Sequence, residues 1–406
     1  MMLHQRIGLL GGLALAGCAT APRLDTPPAS PREAQPPGFS RPIRTDTLDF
    51  DFYLENAPRS IAAVAAASDG SIDILALSGG GAGGAYGAGI LVGLTNAQTR
   101  PRFEIVTGVS TGALISPFAF LGPDWDGFLT QAYRGTATTD LLQSNGIGVL
   151  FDSSVFQGAP LRKLVDRFIT DEMIDAVAKE AATGRMLLVA TTNLDREETT
   201  IWNLGAIAQQ GGEDAHNLFR KVLVASSSVP GVFPPVMIDV EKDGKKYQEM
   251  HVDGGASTPF FIVPDAAMML GAPPPLLRGA NIYVVINGQA SSAPRTTLNN
   301  TVDVAARSFS AVLNHMTRTA LGQADTFASK GGMKFLFTTI PSDVKFAGSL
   351  AFDQDDMRET FDYGMRCATR SIAWVTPQQA MAHMETAGSV ITPAATANCP
   401  LLASPQ

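Results

Sequence analysis

Three cysteines in 406 residues are too few for a disulfide-built scaffold, and no Cys or His stands at a spacing that reads as a metal site. Charge is sparse and its excess is acidic: 17% of residues are charged and the net charge is −8. A chain so short of Lys and Arg lacks the basic face that a phosphate backbone requires, so nucleic acid is excluded as a partner. Acidity does not exclude a membrane. The early apolar run Ile7–Ala16 is too short to span a bilayer. There is no internal repeat and no clean linker after residue 45. The glycine cluster Gly79–Gly84 lacks the Gly-Lys-Ser/Thr ending of a nucleotide-binding loop, and no cofactor is expected. What remains is 45% hydrophobic residues, a globular composition long enough for one large domain.

The N-terminus has its own logic. Arg6 precedes the apolar run, and Leu15-Ala16-Gly17-Cys18 follows it. Small residues ahead of a cysteine resemble the lipobox of bacterial lipoproteins, in which the cysteine is lipidated and becomes the new N-terminus. Residues 1–17 are therefore expected to be a lipoprotein signal peptide and Cys18 the anchor. Ala19 in place of Asp favours, by the same resemblance, the periplasmic face of the outer membrane. Residues 18–44 are rich in proline and read as an extended tether. Residues 386–406 read as a loose tail, and Cys367 as a small buried hydrophobe.

Between them, residues 45–385 form the expected catalytic domain. Apolar runs mark strands at Ile72–Ser78, Phe103–Thr107, Met186–Thr192, Asn281–Asn287 and Lys334–Thr339. Helical patterns fill the intervals, including Ala85–Ala97, Thr111–Phe120 and Thr301–Ser329. Alternation of this kind predicts an α/β fold with a mostly parallel sheet, whose sites gather at the carboxyl ends of strands.

Two glycine turns lie at such ends. Seven of the eleven residues in Gly79–Gly89 are glycine. Bare backbone N–H groups beside a helix N-terminus suit a phosphate or an oxyanion. The second turn, Gly108-Val109-Ser110-Thr111-Gly112, suits either an exposed nucleophile or a simple helix cap. Asp253 in Asp253-Gly254-Gly255 is a turn residue or, if buried near Ser110, a general base. His315 and His383 follow Asp253 in the order a Ser–acid–His triad needs, but both sit in helical patterns. His251 reads as shaping the aspartate turn.

Together the blocks Gly79-Gly80-Gly81, Gly108–Gly112 and Asp253–Gly255, with Ser226-Ser227-Ser228-Val229-Pro230 between, resemble the patatin-like phospholipases. The resemblance implies a three-layer fold with a mostly parallel central sheet and hydrolysis of (phospho)lipid esters by a Ser110–Asp253 dyad without histidine. It implies an oxyanion hole drawn from Gly79, Gly80, Gly81 and Thr111, with Gly84, Gly108, Gly112, Gly254 and Gly255 as motif glycines. The partners implied are a lipid or acyl ester and the membrane; oligomeric state stays open. One position departs from the family: Gly83 stands where an Arg or Lys is common.

Overall fold

A computed structural model describes residues 23–27, 30–135, 159–271, 273–291, 296–380 and 391–400. Cys18 and His383 lie outside them, as does the signal segment. Among the described residues no helix is long and apolar enough to cross a membrane.

The strands are β1 (Arg44–Asp46), β2 (Asp73–Leu77), β3 (Ile105–Val109), β4 (Met186–Asn193), β5 (Glu198–Asn203), β6 (Val236–Lys242), β7 (Lys245–Asp253), β8 (Asn281–Ile286) and β9 (Lys334–Thr339). They form one sheet in the order β1-β5-β4-β3-β2-β8-β9, with β7 paired to both β4 and β6. The central run from β4 to β9 is parallel. The α/β architecture with a mostly parallel central sheet is the one expected.

Helices cover both faces because the central strands are apolar on both sides. Along β2, Leu75 and Leu77 point into one core cluster and Ile74 and Ala76 into the other. Helix α1 (Phe50–Ala67) contributes Ile61 and Val64 to the second cluster, where the 301–330 helix adds Ala324 and Phe327. Helices α2 (Gly84–Asn96) and α3 (Thr111–Leu121) pack on the other face.

Three expectations from composition are corrected. The described part of the 18–44 tether is docked rather than extended: Ala34 and Ile43 are buried, Gln35 bridges Glu241, and the Gln248 N–H donates to the Asp25 carbonyl. Within the expected loose tail, residues 391–400 are pinned. Arg366 donates to the carbonyls of Ala394 and Ala397, and the Tyr363 hydroxyl donates to that of Asn398. Cys367 is not a free apolar residue but is bonded to Cys399, with Cα atoms 5.4 Å apart. Local composition cannot register such long-range partners.

The hairpin β6–β7 is an addition to the expected elements. Asp243 and Gly244 both have positive φ, 51° and 74°, as a tight two-residue hairpin turn requires. Its register carries the site. β4 pairs with β3 up to Val109↔Ala190, and from the next residue it pairs with β7, Thr191↔Asp253. The end of β3 and the end of β7 therefore meet beside consecutive residues of β4.

Candidate active site

That meeting point brings Ser110 and Asp253 together. Ser110 leaves β3 and enters α3 with φ 56° and ψ −125°, a sparsely populated conformation for a residue with a side chain. Its side chain makes no helix-capping bond. Instead its hydroxyl donates to Asp253 Oδ2 at 2.5 Å. The turn is this tight because helix α3 starts against strand β2: a Cβ on Gly112 would stand 2.3 Å from the Leu77 carbonyl oxygen.

Asp253 also retains its turn role, since Oδ1 accepts the Gly255 N–H at 2.7 Å. Burial pushes its carboxyl up to about 7, against the opposing pull of the Ser110 hydroxyl and the Gly255 N–H. A buried carboxylate with no cation beside it is a far stronger base than a solvated one.

The triple-serine segment holds this pair from behind. Ser226 Oγ accepts the Ser110 N–H at 3.0 Å and donates to the Ala190 carbonyl at 2.7 Å. Ser227 Oγ donates to the Ser110 carbonyl at 3.1 Å, and the Ser228 carbonyl accepts the Asp253 N–H at 2.9 Å. The sequence marks the segment only by likeness; its work is to brace both residues of the pair.

The glycine turn lies alongside. A Cβ on Gly79 would come within 3.3 Å of Ser110 Cβ. The Gly79 N–H donates to the Pro259 carbonyl, so Gly79 shapes the loop. Among the described residues, the N–H groups of Gly80, Gly81 and Thr111 have no acceptor. Gly80 has φ 158°, and a Cβ there would lie 1.7 Å from the Asn287 carbonyl oxygen. Asn287 is the residue missed by sequence reasoning. From the end of β8 it donates Nδ2–H to the Ser78 carbonyl at 2.6 Å and N–H to Ser78 Oγ at 2.8 Å. Its only signal was position, a polar residue at the carboxyl end of a strand neighbouring β2.

Asn287 also explains Gly83. A Cβ there would stand 2.2 Å from the same carbonyl oxygen, so this loop is closed to the side chain the family often carries. Gly84 meets Thr111, whose hydroxyl shares a 3.0 Å hydrogen bond with Tyr133.

No described histidine joins the pair. His251 is fully buried, bonded to Thr191 and Glu249. Burial lowers its pKa, while Glu249 is held down to about 2, burial being outweighed by His251 and Arg44. His216 pairs with Asp171 on the surface, and His315 is exposed on its long helix. Among the described residues there is no cluster that could hold a metal ion.

Ser110 opens into a cavity of about 780 Å³, its mouth included. Leu114 and Phe118 of α3, Leu161 and Val165 of the 159–168 helix, and Phe233, Leu350 and Phe352 give it an apolar wall. Segment 349–352 serves twice, because the Ser349 carbonyl also accepts the Ala82 N–H at 2.8 Å. An apolar pocket ending at Ser110 and at the residues of two unpaired N–H groups, Gly81 and Thr111, has the shape and chemistry for an acyl chain with its ester at the inner end.

No curated protein matches the chain. Among solved structures, VipD from Legionella pneumophila is similar over 74% of this chain and 67% of its own, at 13% identity and a TM-score of 0.31. The family model for patatin-like phospholipase matches residues 75–264, the stretch that contains the glycine turn, Ser110 and Asp253. The chain thus carries, over residues 75–264, the domain of the patatin-like phospholipases, a family of lipid acyl hydrolases.

Proposed function

We propose that the protein is a membrane-anchored serine hydrolase that cleaves carboxylic esters of lipids through a Ser110–Asp253 dyad. The observation that carries this reading is the 2.5 Å bond from Ser110 Oγ to a carboxylate whose burial lifts it to about 7. Ser110 Oγ attacks the ester carbonyl carbon and its proton passes to Asp253 Oδ2. The negative oxygen takes hydrogen bonds from the N–H groups of Gly80, Gly81 and Thr111. Collapse releases the alcohol, which takes the proton back from Asp253. Water, deprotonated by Asp253, then attacks the acyl-enzyme; the bond from Ser110 Oγ to the acyl carbon breaks, Oγ takes the proton back from Asp253, and the acid is freed. Each donor in such a hole contributes about 2.7–4 kcal/mol to the barrier reduction.

Anchoring through a lipidated Cys18 belongs to the same proposal. The Cys367–Cys399 bond supports an exported protein, since disulfides persist in oxidising compartments. A second reading, a catalytically silent envelope protein that only binds lipid, draws on Gly83 and its missing cation. Incubation of the mature protein with mixed phospholipids, followed by mass identification of products, separates the two. Free fatty acid and lysolipid from the wild type but not from Ser110→Ala is the expected result. Intact lipid with both proteins would favour the silent reading.

A further inference from the structure

The 301–330 helix is longer than the sheet it packs on. Its 30 residues reach about 45 Å, whereas the 6 residues of β9 span about 20 Å. Its last turn is level with the amino end of the sheet, since the Gly332 carbonyl accepts the Gly279 N–H just ahead of β8. Ala324 and Phe327 are buried in the core, and Arg318 donates to the Ala290 carbonyl, just past the carboxyl end of β8. The N-terminal half therefore runs out beyond the carboxyl ends of the strands, by about 24 Å over residues 301–316. Among the described residues none from that half belongs to a core cluster. Val304 is 48% exposed and Val312 55%, and Leu298, just ahead of the helix, is 65% exposed. Between 301 and 317 only Asp303 and Arg307 carry charge, and their signs are opposite. Exposed apolar side chains on one projecting, weakly charged element mark an interaction surface.

The same end of the sheet carries the candidate active site and the N-terminal segment. Ser110 follows the carboxyl end of β3, and Leu350, which lines the apolar pocket, is 40% exposed. Asp195 stands in the turn after β4, where its Oδ2 accepts the Met250 N–H at 2.8 Å and pairs with Arg23. Arg23 also donates to the Gln248 carbonyl at 3.2 Å. Leu24 and Leu194, the chain neighbours of that ion pair, are exposed. The chain ahead of Arg23 therefore leaves from this end, and Cys18 lies within about 18 Å of extended chain from it. We infer that the carboxyl end of the sheet is the face that rests on a lipid bilayer, with the projecting half of the 301–330 helix seated at the headgroup boundary. The surface rests on the acyl-hydrolase reading only for why a bilayer lies there, since a pocket that takes acyl chains must open toward their source. The Arg23–Asp195 pair fixes the tether at this end rather than at the opposite one.

The test puts a reporter at each end of the sheet. In the full chain carrying Ser110→Ala, so that lipid is not consumed, Val312→Trp and Leu276→Trp are compared on vesicles of phosphatidylethanolamine and phosphatidylglycerol, with and without brominated acyl chains. Bromine quenches an indole only at close contact. The added emission of Val312→Trp should be quenched. That of Leu276→Trp should not, because Leu276 is exposed ahead of the amino end of β8. No quenching at 312, or equal quenching at both positions, would overturn the inference. So would Val312→Trp emission that shifts with protein concentration and ignores brominated lipid, since that marks a contact between copies of the chain. With Ser110 intact, Val304→Asp/Val312→Asp should cut hydrolysis of vesicle lipid about tenfold or more and leave hydrolysis of a soluble short-chain ester unchanged. An unchanged rate on vesicles, or an equal loss on both substrates, would also overturn it. If the wild type cleaves neither substrate, the hydrolase reading fails by itself, and the quenching pair still decides the surface.

Discussion

Asp253 holds its proton in the folded protein to about pH 7, whereas an unfolded aspartate loses it near 3.9. Between those values the native state binds more protons than the unfolded one. Folding stability attributable to this group therefore falls as pH rises from about 4 to about 7, on the order of 1.4 kcal/mol per pH unit, and then levels. Asp253→Asn removes the penalty. The variant should be inactive, yet its melting temperature relative to wild type should rise from pH 4.5 to pH 8. A difference that does not change with pH would show that Asp253 is not buried as described. Function here opposes stability, as does the backbone of Ser110, whose unfavourable φ and ψ are held by Ser226 and Ser227. Ser110 and Asp253 were legible as a pattern of residue types. Asn287 was not, because its contribution is a backbone carbonyl, which no residue type advertises.

At the scale of elements, apolar runs made the buried parallel strands readable, since both faces of each lie in a core. The β6–β7 hairpin was harder. Its strands alternate buried and solvent-facing residues and are rich in Lys, Glu and Asp near the turn, so no continuous apolar run marks them. Yet it is this hairpin that delivers Asp253 to Ser110. The glycines of Gly79–Gly89 also divide by element. The first shape the loop, whereas Gly89 sits in α2, where a Cβ would stand 2.1 Å from the Phe361 carbonyl oxygen of the 354–369 helix. That helix contributes Met357 to the apolar pocket and carries Cys367 at its far end. The disulfide closes a loop across a separation of 32 residues, for which chain entropy gives a stabilisation of about 3–4 kcal/mol. Cys367→Ser/Cys399→Ser should lower the denaturation midpoint accordingly, in a guanidinium titration followed by circular dichroism. An unchanged midpoint would mean that segment 391–400 is held by its hydrogen bonds alone.

On the whole molecule, the matched family region ends at 264, yet the site does not. Asn287, Ser349, Leu350, Phe352 and Met357 lie beyond it and set the glycine loop or line the pocket. The active unit is therefore larger than the sequence motifs, and truncation after 264 would leave the loop unsupported. At the other end, Asp25, Ala34, Gln35 and Ile43 lie against the domain, which shortens any tether to the membrane. Cys18→Ser should move the protein from the membrane to the soluble fraction of cells; retention in the membrane would rule out the lipid anchor. The central claim, a serine activated by aspartate alone, is tested most directly by the rate at which a fluorophosphonate labels Ser110, read by intact mass across pH 5 to 9. The account predicts single labelling in wild type that rises through an apparent pKa near 7, no labelling of Ser110→Ala, and a slow, pH-independent rate in Asp253→Asn. Labelling of Asp253→Asn at the wild-type rate, with the same pH dependence, would contradict it.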